Sequence, residues 1–304
     1  MNSLKDRILK LKAERNAVII AHNYQRPEVQ EIADYIGDSL ELALKVKDLD
    51  VEVIVFCGVK FMAETAKLLA PSKKVLLPRP DAGCQLADTI TPADVQKLRE
   101  KFPDSVFVCY VNTSVEVKAY CDICCTSANA VQLVSKLPPE KHVVFLPDRN
   151  LGAYVRKTTG RDITIWDGYC YVHEQFSEHE AISARREYPD YEILVHPECK
   201  AEVIELADHA LGTAGMVKRV RGTQKRGFVI GTEEGMITRL KREFPERDFI
   251  SLGKPKVCVD MKKITLEDVL HSLENLYYQV EIPTNIAQRA YRTVQNMLEL
   301  MKST

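Results

Sequence analysis

Apolar runs of four to seven residues recur along the chain, each ending in polar residues and followed by an amphipathic stretch with helical spacing. The first series is AVIIAHNY, then LELALKV behind Gly37-Asp38-Ser39, then VEVIVFCG, KFMAETAKLLA and KVLLP. Short apolar runs alternating with helices predict a parallel sheet covered by helices on both faces. The series opens with Ser3-Leu4-Lys5-Asp6, a capping-box-like helix start that leaves Leu4, Ile8 and Leu11 on one side.

The same order returns twice. Thr91-Pro92 starts a helix with proline at its favoured first position. VFVCYVN, Thr126-Ser127-Ala128-Asn129 as a helix start, HVVFLPD, NLGAYVRK and DITIW follow. The third series runs from Ser177-Glu178-His179-Glu180 through EILVHPE, Gly212-Thr213, RGFVIG and EEGMITRLKREF to DFISL.

Landmarks keep a common register. Ser3, Thr91 and Ser177 are 88 and 86 residues apart, as are the strand-end residues His22, Tyr110 and His196. Ser39, Ser127 and Thr213 each lie 17 residues beyond those, and Cys84, Cys170 and Cys258 are separated by 86 and 88. A fixed period of this size marks one structural unit copied three times. The expected fold class is α/β: three pseudo-threefold-related three-layer α/β/α domains, each with a small parallel sheet, closing around a central active site. The expected repeats are 1–90, 91–176 and 177–264. Thr265, 88 residues after Ser177, opens a partial fourth unit. Segment 265–304 is expected to complete the first repeat, its last helix facing inward through Ile286, Ala290, Val294, Met297 and Met301.

Composition narrows the class. The 304 residues are 45% hydrophobic and 28% charged with a net charge of −1. That is ordinary for a chain able to bury a substantial core. There is no basic stripe to bind nucleic acid and no apolar run long enough to span a membrane. Nine cysteines without an N-terminal apolar leader favour a reducing cytoplasm, with thiols used for metal or chemistry.

Ligands in open α/β sheets bind beyond the carboxyl ends of the strands. Three clusters fall there: His22-Asn23-Tyr24, Tyr110-Val111-Asn112 and His196-Pro197-Glu198. Cys84, Cys170 and Cys258 offer three thiolates without a fourth, which does not match a four-ligand structural zinc site. A four-iron cluster held by three cysteines keeps one iron open as a Lewis acid. The alternative is three buried core thiols. Ser39, Ser127 and Thr213 read as hydroxyls at helix N-termini, serving as simple caps or as anion sites. His22, His173 and His196 are candidates for hydrogen bonding or proton transfer, and Tyr24 and Glu198 for acid–base work. Cys121-Asp122-Ile123-Cys124-Cys125 contains a CxxC with no copy in the other repeats, and reads as thiols packed near a strand–helix junction. Asp148-Arg149-Asn150 reads as a turn with an ion pair.

These residues resemble the quinolinate synthase (NadA) family through AHNYQ, IGDSLELA, CTSANA, PDRNLG, HPEC, VIGTEEGMI and CVDMKK, in order over most of the chain. The resemblance implies a transferase-type enzyme of NAD biosynthesis. It implies condensation of iminoaspartate with dihydroxyacetone phosphate to give quinolinate, phosphate and water. It also implies one [4Fe-4S] cluster on Cys84, Cys170 and Cys258 with one open iron. His22, Ser39, Tyr110, Val111, Asn112, Ser127, His196, Pro197, Glu198 and Thr213 match substrate-binding positions, and His173 matches a histidine near the cluster. Tyr24 and Glu198 match residues that move protons; His22, Tyr110 and His196 join them as catalytic candidates. A functional link to an aspartate oxidase or dehydrogenase that makes iminoaspartate would follow. The segment LGTAGM departs from the family pattern, lacking a serine and a glutamine beside Thr213. An electron-transfer or redox-sensing protein and a zinc-dependent hydrolase or lyase are the competing classes.

Overall fold

The computed structural model describes residues 3–302. In the first repeat the order is α1 (Leu4–Glu14), β1 (Ala17–His22), α2 (Pro27–Ile32), β2 (Tyr35–Gly37), α3 (Ser39–Asp48), β3 (Val53–Cys57), α4 (Lys60–Leu69) and β4 (Lys74–Leu76). The second has α5 (Pro92–Lys101), β5 (Val106–Tyr110), α6 (Val115–Lys118), β6 (Ile123–Cys125), α7 (Ala130–Lys136), β7 (Val143–Leu146), α8 (Arg149–Thr159) and β8 (Ile163–Ile165). A short α9 (Tyr171–Glu174) precedes the third, which has α10 (Glu178–Glu187), β9 (Glu192–Val195), α11 (Ala201–Leu206), β10 (His209–Ala210), α12 (Thr213–Arg221), β11 (Gly227–Gly231), α13 (Gly235–Glu243) and β12 (Asp248–Ser251). Two helices close the chain, α14 (Leu266–Asn275) and α15 (Thr284–Lys302).

The repeat is visible in its smallest parts. Ser3, Thr91, Ser177 and Thr265 each cap a helix, and each closes a reciprocal capping box with Asp6, Asp94, Glu180 or Asp268. Satisfying two orphan amides this way fixes where the helix begins. The three sheets are parallel and four-stranded, ordered β2-β1-β3-β4, β6-β5-β7-β8 and β10-β9-β11-β12. Strands β3, β7, β9 and β11 are buried along their whole length, as helices on both faces require. The fold is α/β, with three small α/β/α sheets as expected. In each sheet the order reverses beside the first strand, and β1, β5 and β9 end at His22, at Tyr110 and just before His196. The strand-end clusters therefore lie where ligands bind in open parallel sheets.

The chain divides into two compact units. One runs up to Cys84 and resumes from Cys258 to Ala287; the other covers Gln85–Val257 and resumes at Gln288. In the first, α14 packs on α1 and β3. Arg7 reaches Glu274 Oε1 at 2.8 Å, and Arg15 reaches the Glu274 carbonyl at 2.8 Å. In the second, Thr293 Oγ1 donates to the carbonyls of Lys118 and Cys121 at 2.9 and 3.0 Å, and Asn296 Nδ2 to that of Asp122 at 2.8 Å. The expectation that all of 265–304 completes the first repeat holds only as far as Ala287. Residues beyond Ala287 instead pack on the second, because Thr293 and Asn296 satisfy carbonyls of the α6–β6 turn. Ala290, Val294 and Met297 are fully buried, whereas Ile286 and Met301 are only half-buried. Among the described residues, no helix is long and apolar enough to cross a membrane.

Candidate active site

In the first unit β1 delivers His22 into a tight turn. The Tyr24 amide donates to His22 Nδ1 at 3.2 Å, and the two rings meet edge-on with centroids 4.6 Å apart. With Nδ1 accepting, the neutral imidazole carries its proton on Nε2. Gln30 Nε2 donates to the carbonyls of Asn23 and Gln25, both at 3.0 Å. The Lys262 ammonium reaches the Tyr24 carbonyl at 2.7 Å, and Arg26 Nε reaches the Lys262 carbonyl at 2.6 Å. These bonds pin the Cys258 turn beside the end of β1, since the Lys262 amide donates to the Cys258 carbonyl. Lys263 ties the same turn to the loop before Cys84 through the Asp81 carbonyl at 2.6 Å. Ser39 is the first residue of α3, behind the Asp38 cap.

In the second unit the corresponding turn follows β9. The Glu198 amide donates to His196 Nδ1 at 3.3 Å, repeating the Tyr24–His22 bond. Tyr24, Asn112 and Glu198 thus hold the same position in the three repeats, two residues past the strand-end ring. His196 stacks on His173 with centroids 4.4 Å apart, and Glu198 Oε2 lies 2.6 Å from His173 Nδ1. His173 Nε2 lies 2.8 Å from Thr232 Oγ1. Burial alone would raise the Glu198 carboxyl. His196 and His173 outweigh it, with hydrogen bonds from His173 and Tyr110, and hold it down at about 2. Glu198 is therefore held as a buried carboxylate, with one oxygen 2.6 Å from His173 Nδ1.

Cys170 joins this group: its sulfur, a His173 ring nitrogen and a Glu198 oxygen all lie within 4.8 Å of one another. Asp148, fully buried, builds the Cys170 loop. It caps α8 through the Leu151 amide at 2.7 Å and accepts the Cys170 amide at 3.2 Å. Burial, then the Glu198 charge, pushes its carboxyl well above the usual range. Asn150 Nδ2 holds the Glu198 carbonyl at 3.0 Å and Glu174 Oε2 at 2.9 Å. Asp148-Arg149-Asn150 thus does more than form a turn, and Thr232 escaped the sequence reading entirely.

Thr213 opens α12, but Ser127 does not open α7: it lies in the turn before Asn129, which takes the cap and accepts the Thr126 amide at 2.7 Å. Ser127 nonetheless reaches the start of α12, because a Cβ on Gly212 would fall 2.6 Å from Ser127 Oγ. The Ser127 hydroxyl thus fills the space that a side chain at position 212 would take. The α12 amides carry no side-chain cap, a setting that favours an anion. Tyr110 and Pro197 are buried, Val111 pairs with the Cys125 carbonyl, and Asn112 is half-buried.

The cysteines sort by exposure. Cys57, Cys109, Cys121, Cys124, Cys125 and Cys199 are buried, whereas Cys84, Cys170 and Cys258 are the half-buried three, each in the loop after the fourth strand of its sheet. Thiols that ligate a metal must be able to reach it, so this donor set fits a metal cluster better than core packing does.

A model of the family described as quinolinate synthetase A protein (NadA) matches residues 6–299. The chain is 47% identical to a quinolinate synthase of Thermodesulfovibrio yellowstonii, with 99% of each chain covered. It is 48% identical to a quinolinate synthase of Thermus thermophilus, with 97% of each covered. A solved structure, the E-1-hydroxy-2-methyl-but-2-enyl-4-diphosphate reductase from Plasmodium falciparum, aligns over 90% of this chain and 93% of its own. At a TM-score of 0.33 and 13% identity it bears on neither fold nor site. By the matched span and by identity over nearly the full length, this chain belongs to the quinolinate synthase (NadA) family.

Proposed function

We propose that this protein is a quinolinate synthase of NAD biosynthesis. It condenses iminoaspartate with dihydroxyacetone phosphate, releasing quinolinate, phosphate and two waters, with one [4Fe-4S] cluster held by Cys84, Cys170 and Cys258. The observation that carries this is the grouping of Cys170, His173 and Glu198, donor atoms within 4.8 Å of one another, which sets a half-buried thiol near a buried proton-handling pair.

When bound, the cluster supplies an open iron that acts as a Lewis acid on a substrate oxygen. The rest is work for side chains. Glu198, ionised and dry, is the base for a proton on carbon. Its two imidazoles limit the cost of the buried charge. His173, beside Glu198, returns a proton to a departing hydroxyl, and Thr232 fixes the ring for that transfer. Tyr24, braced by His22, serves the same chemistry from its own strand end. Ser39, Ser127 and Thr213, with the α3 and α12 amides, receive carboxylate and phosphate groups. An electron-transfer role would use none of these groups.

The test is protein purified without oxygen, analysed for iron and acid-labile sulfide, then assayed for quinolinate with enzymatically generated iminoaspartate and dihydroxyacetone phosphate. Roughly four of each per chain and quinolinate formation are expected. Zinc, or no metal after reconstitution, overturns the cluster assignment. A loaded cluster without quinolinate overturns the reaction.

A further inference from the structure

Two buried side chains hold the strand-end turns of the first and second repeats from behind. Gln30 on α2 and Lys118 on α6 each lie eight residues past their strand-end ring, His22 and Tyr110, so they share one place in the repeat. Gln30 Nε2 donates to the carbonyls of Asn23 and Gln25, both at 3.0 Å. Lys118 Nζ donates to the carbonyl of Val111 at 2.7 Å and to that of Thr113. In both repeats the two acceptors are one and three residues past the ring. They flank Tyr24 in the first turn and Asn112 in the second. An amide and an ammonium thus do one task, and both are almost wholly buried. A buried ammonium is costly unless it is hydrogen-bonded, and these bonds go to the turn. Helix α6 is itself held: Ser114 Oγ accepts the Val117 amide at 3.2 Å, and Thr293 Oγ1 donates to the Lys118 carbonyl at 2.9 Å.

The third repeat lacks this brace. Ile204, eight residues past His196, has no side-chain donor, and Asn150 Nδ2 holds the Glu198 carbonyl there instead. The third sheet nonetheless has the same strand order as the other two. The fold unit therefore forms without the brace, and its task lies in the turns.

We propose that Gln30 and Lys118 are positioning residues for the proposed quinolinate synthesis, on which this inference rests: Gln30 sets Tyr24 and Lys118 sets Asn112 toward the substrates. Both turns stand at the carboxyl ends of strands, where ligands bind. The two residues that they carry differ in chemistry. A tyrosine hydroxyl can move a proton, whereas an asparagine amide does not titrate and can only hold. Loosening the first turn therefore lowers kcat, and loosening the second raises KM.

The test compares Gln30→Met, Lys118→Met and Lys118→Gln as cluster-loaded enzymes, at a temperature well below their melting points. Gln30→Met should lose roughly tenfold in kcat with little change in KM. Lys118→Met should raise KM for one of the two substrates roughly tenfold with little change in kcat. Lys118→Gln puts the first repeat's residue in the second and should stay within about threefold of the wild type. Amide hydrogen exchange reads the brace without turnover. The peptide carrying the Val111 amide, which donates to the Cys125 carbonyl, should exchange roughly five- to tenfold faster in Lys118→Met than in the wild type or Lys118→Gln. Wild-type kinetics and exchange in Lys118→Met, or a Gln variant no better than Met, overturn the brace. The same kcat and KM changes in both Met variants overturn the division of labour between the turns. A wild type that makes no quinolinate while the exchange pattern holds overturns the reaction and leaves the brace standing.

Discussion

Glu198 Oε2 lies 2.6 Å from His173 Nδ1, and both side chains are almost wholly buried. Removing the negative charge while keeping the shape isolates its chemical role. Glu198→Gln should fold and retain iron, because its amide nitrogen and its Asn150-bonded carbonyl stay in place. Turnover should fall by roughly 10²–10⁴, the usual worth of a positioned acid–base group. Measuring kcat and iron per chain on one preparation separates these effects, and full activity would remove Glu198 from the mechanism.

Thr232 acts at one remove. Its hydroxyl is 2.8 Å from His173 Nε2, on the side of the ring opposite Glu198. Thr232→Val keeps the volume and deletes one hydrogen bond, worth about 1 kcal/mol. The expected result is a loss of roughly three- to tenfold in kcat, little change in KM, and recovery in Thr232→Ser. A Ser variant as slow as Val would mean that the methyl group matters rather than the hydroxyl.

The parts of this molecule fixed by near neighbours were readable before folding. Ser3, Thr91, Ser177 and Thr265 cap helices because the acceptor and donor of each box lie three residues apart. His22 and His196 announced themselves as the polar ends of apolar runs. Where the deciding partner is remote, the same reading ran out. Nothing near Thr232 points to His173, 59 residues away, and nothing near Asp148 points to the Cys170 amide. Ser127 kept its register but not its helix position: α7 begins after Asn129, whose side chain turns back to accept the Thr126 amide. The stripe on α15 required a packed surface without naming it; the Thr293 and Asn296 bonds name it.

Asp148 bonds the α8 start and the Cys170 loop with its two carboxyl oxygens. Asp148→Ala removes a cap, worth about 1 kcal/mol, and strands a buried amide at about 1–3 kcal/mol. A loss of roughly 2–4 kcal/mol in urea unfolding is therefore expected. Asp148→Asn retains one acceptor and should lose about half as much. Iron retention should follow the same order, since Cys170 loses its anchored loop. An Ala variant as stable as the wild type would show that the loop is held by other contacts.

The three half-buried cysteines and the buried CxxC make opposite predictions. Cys84→Ala, Cys170→Ala and Cys258→Ala should each lose the iron, because three thiolates leave no spare ligand. Cys121→Ala should keep it. Iron loss in the Cys121 variant alone would move the metal site to the second repeat.

Asp38 caps α3 by accepting the Leu40 and Glu41 amides at 2.9 and 2.8 Å. Burial pushes its carboxyl up from 3.8 to about 6; the amides oppose that shift and the Glu41 charge adds to it. The folded state therefore holds more protons than the unfolded chain between those two values, and stability from this group declines as pH rises through that window. Above about pH 6 its contribution is level. Asparagine is an equally good cap and does not titrate. Asp38→Asn should thus gain stability relative to the wild type as pH rises from about 4.5 to about 7. Melting temperatures of both proteins across that range test this, and a difference that does not change with pH would show that the Asp38 carboxyl is not raised.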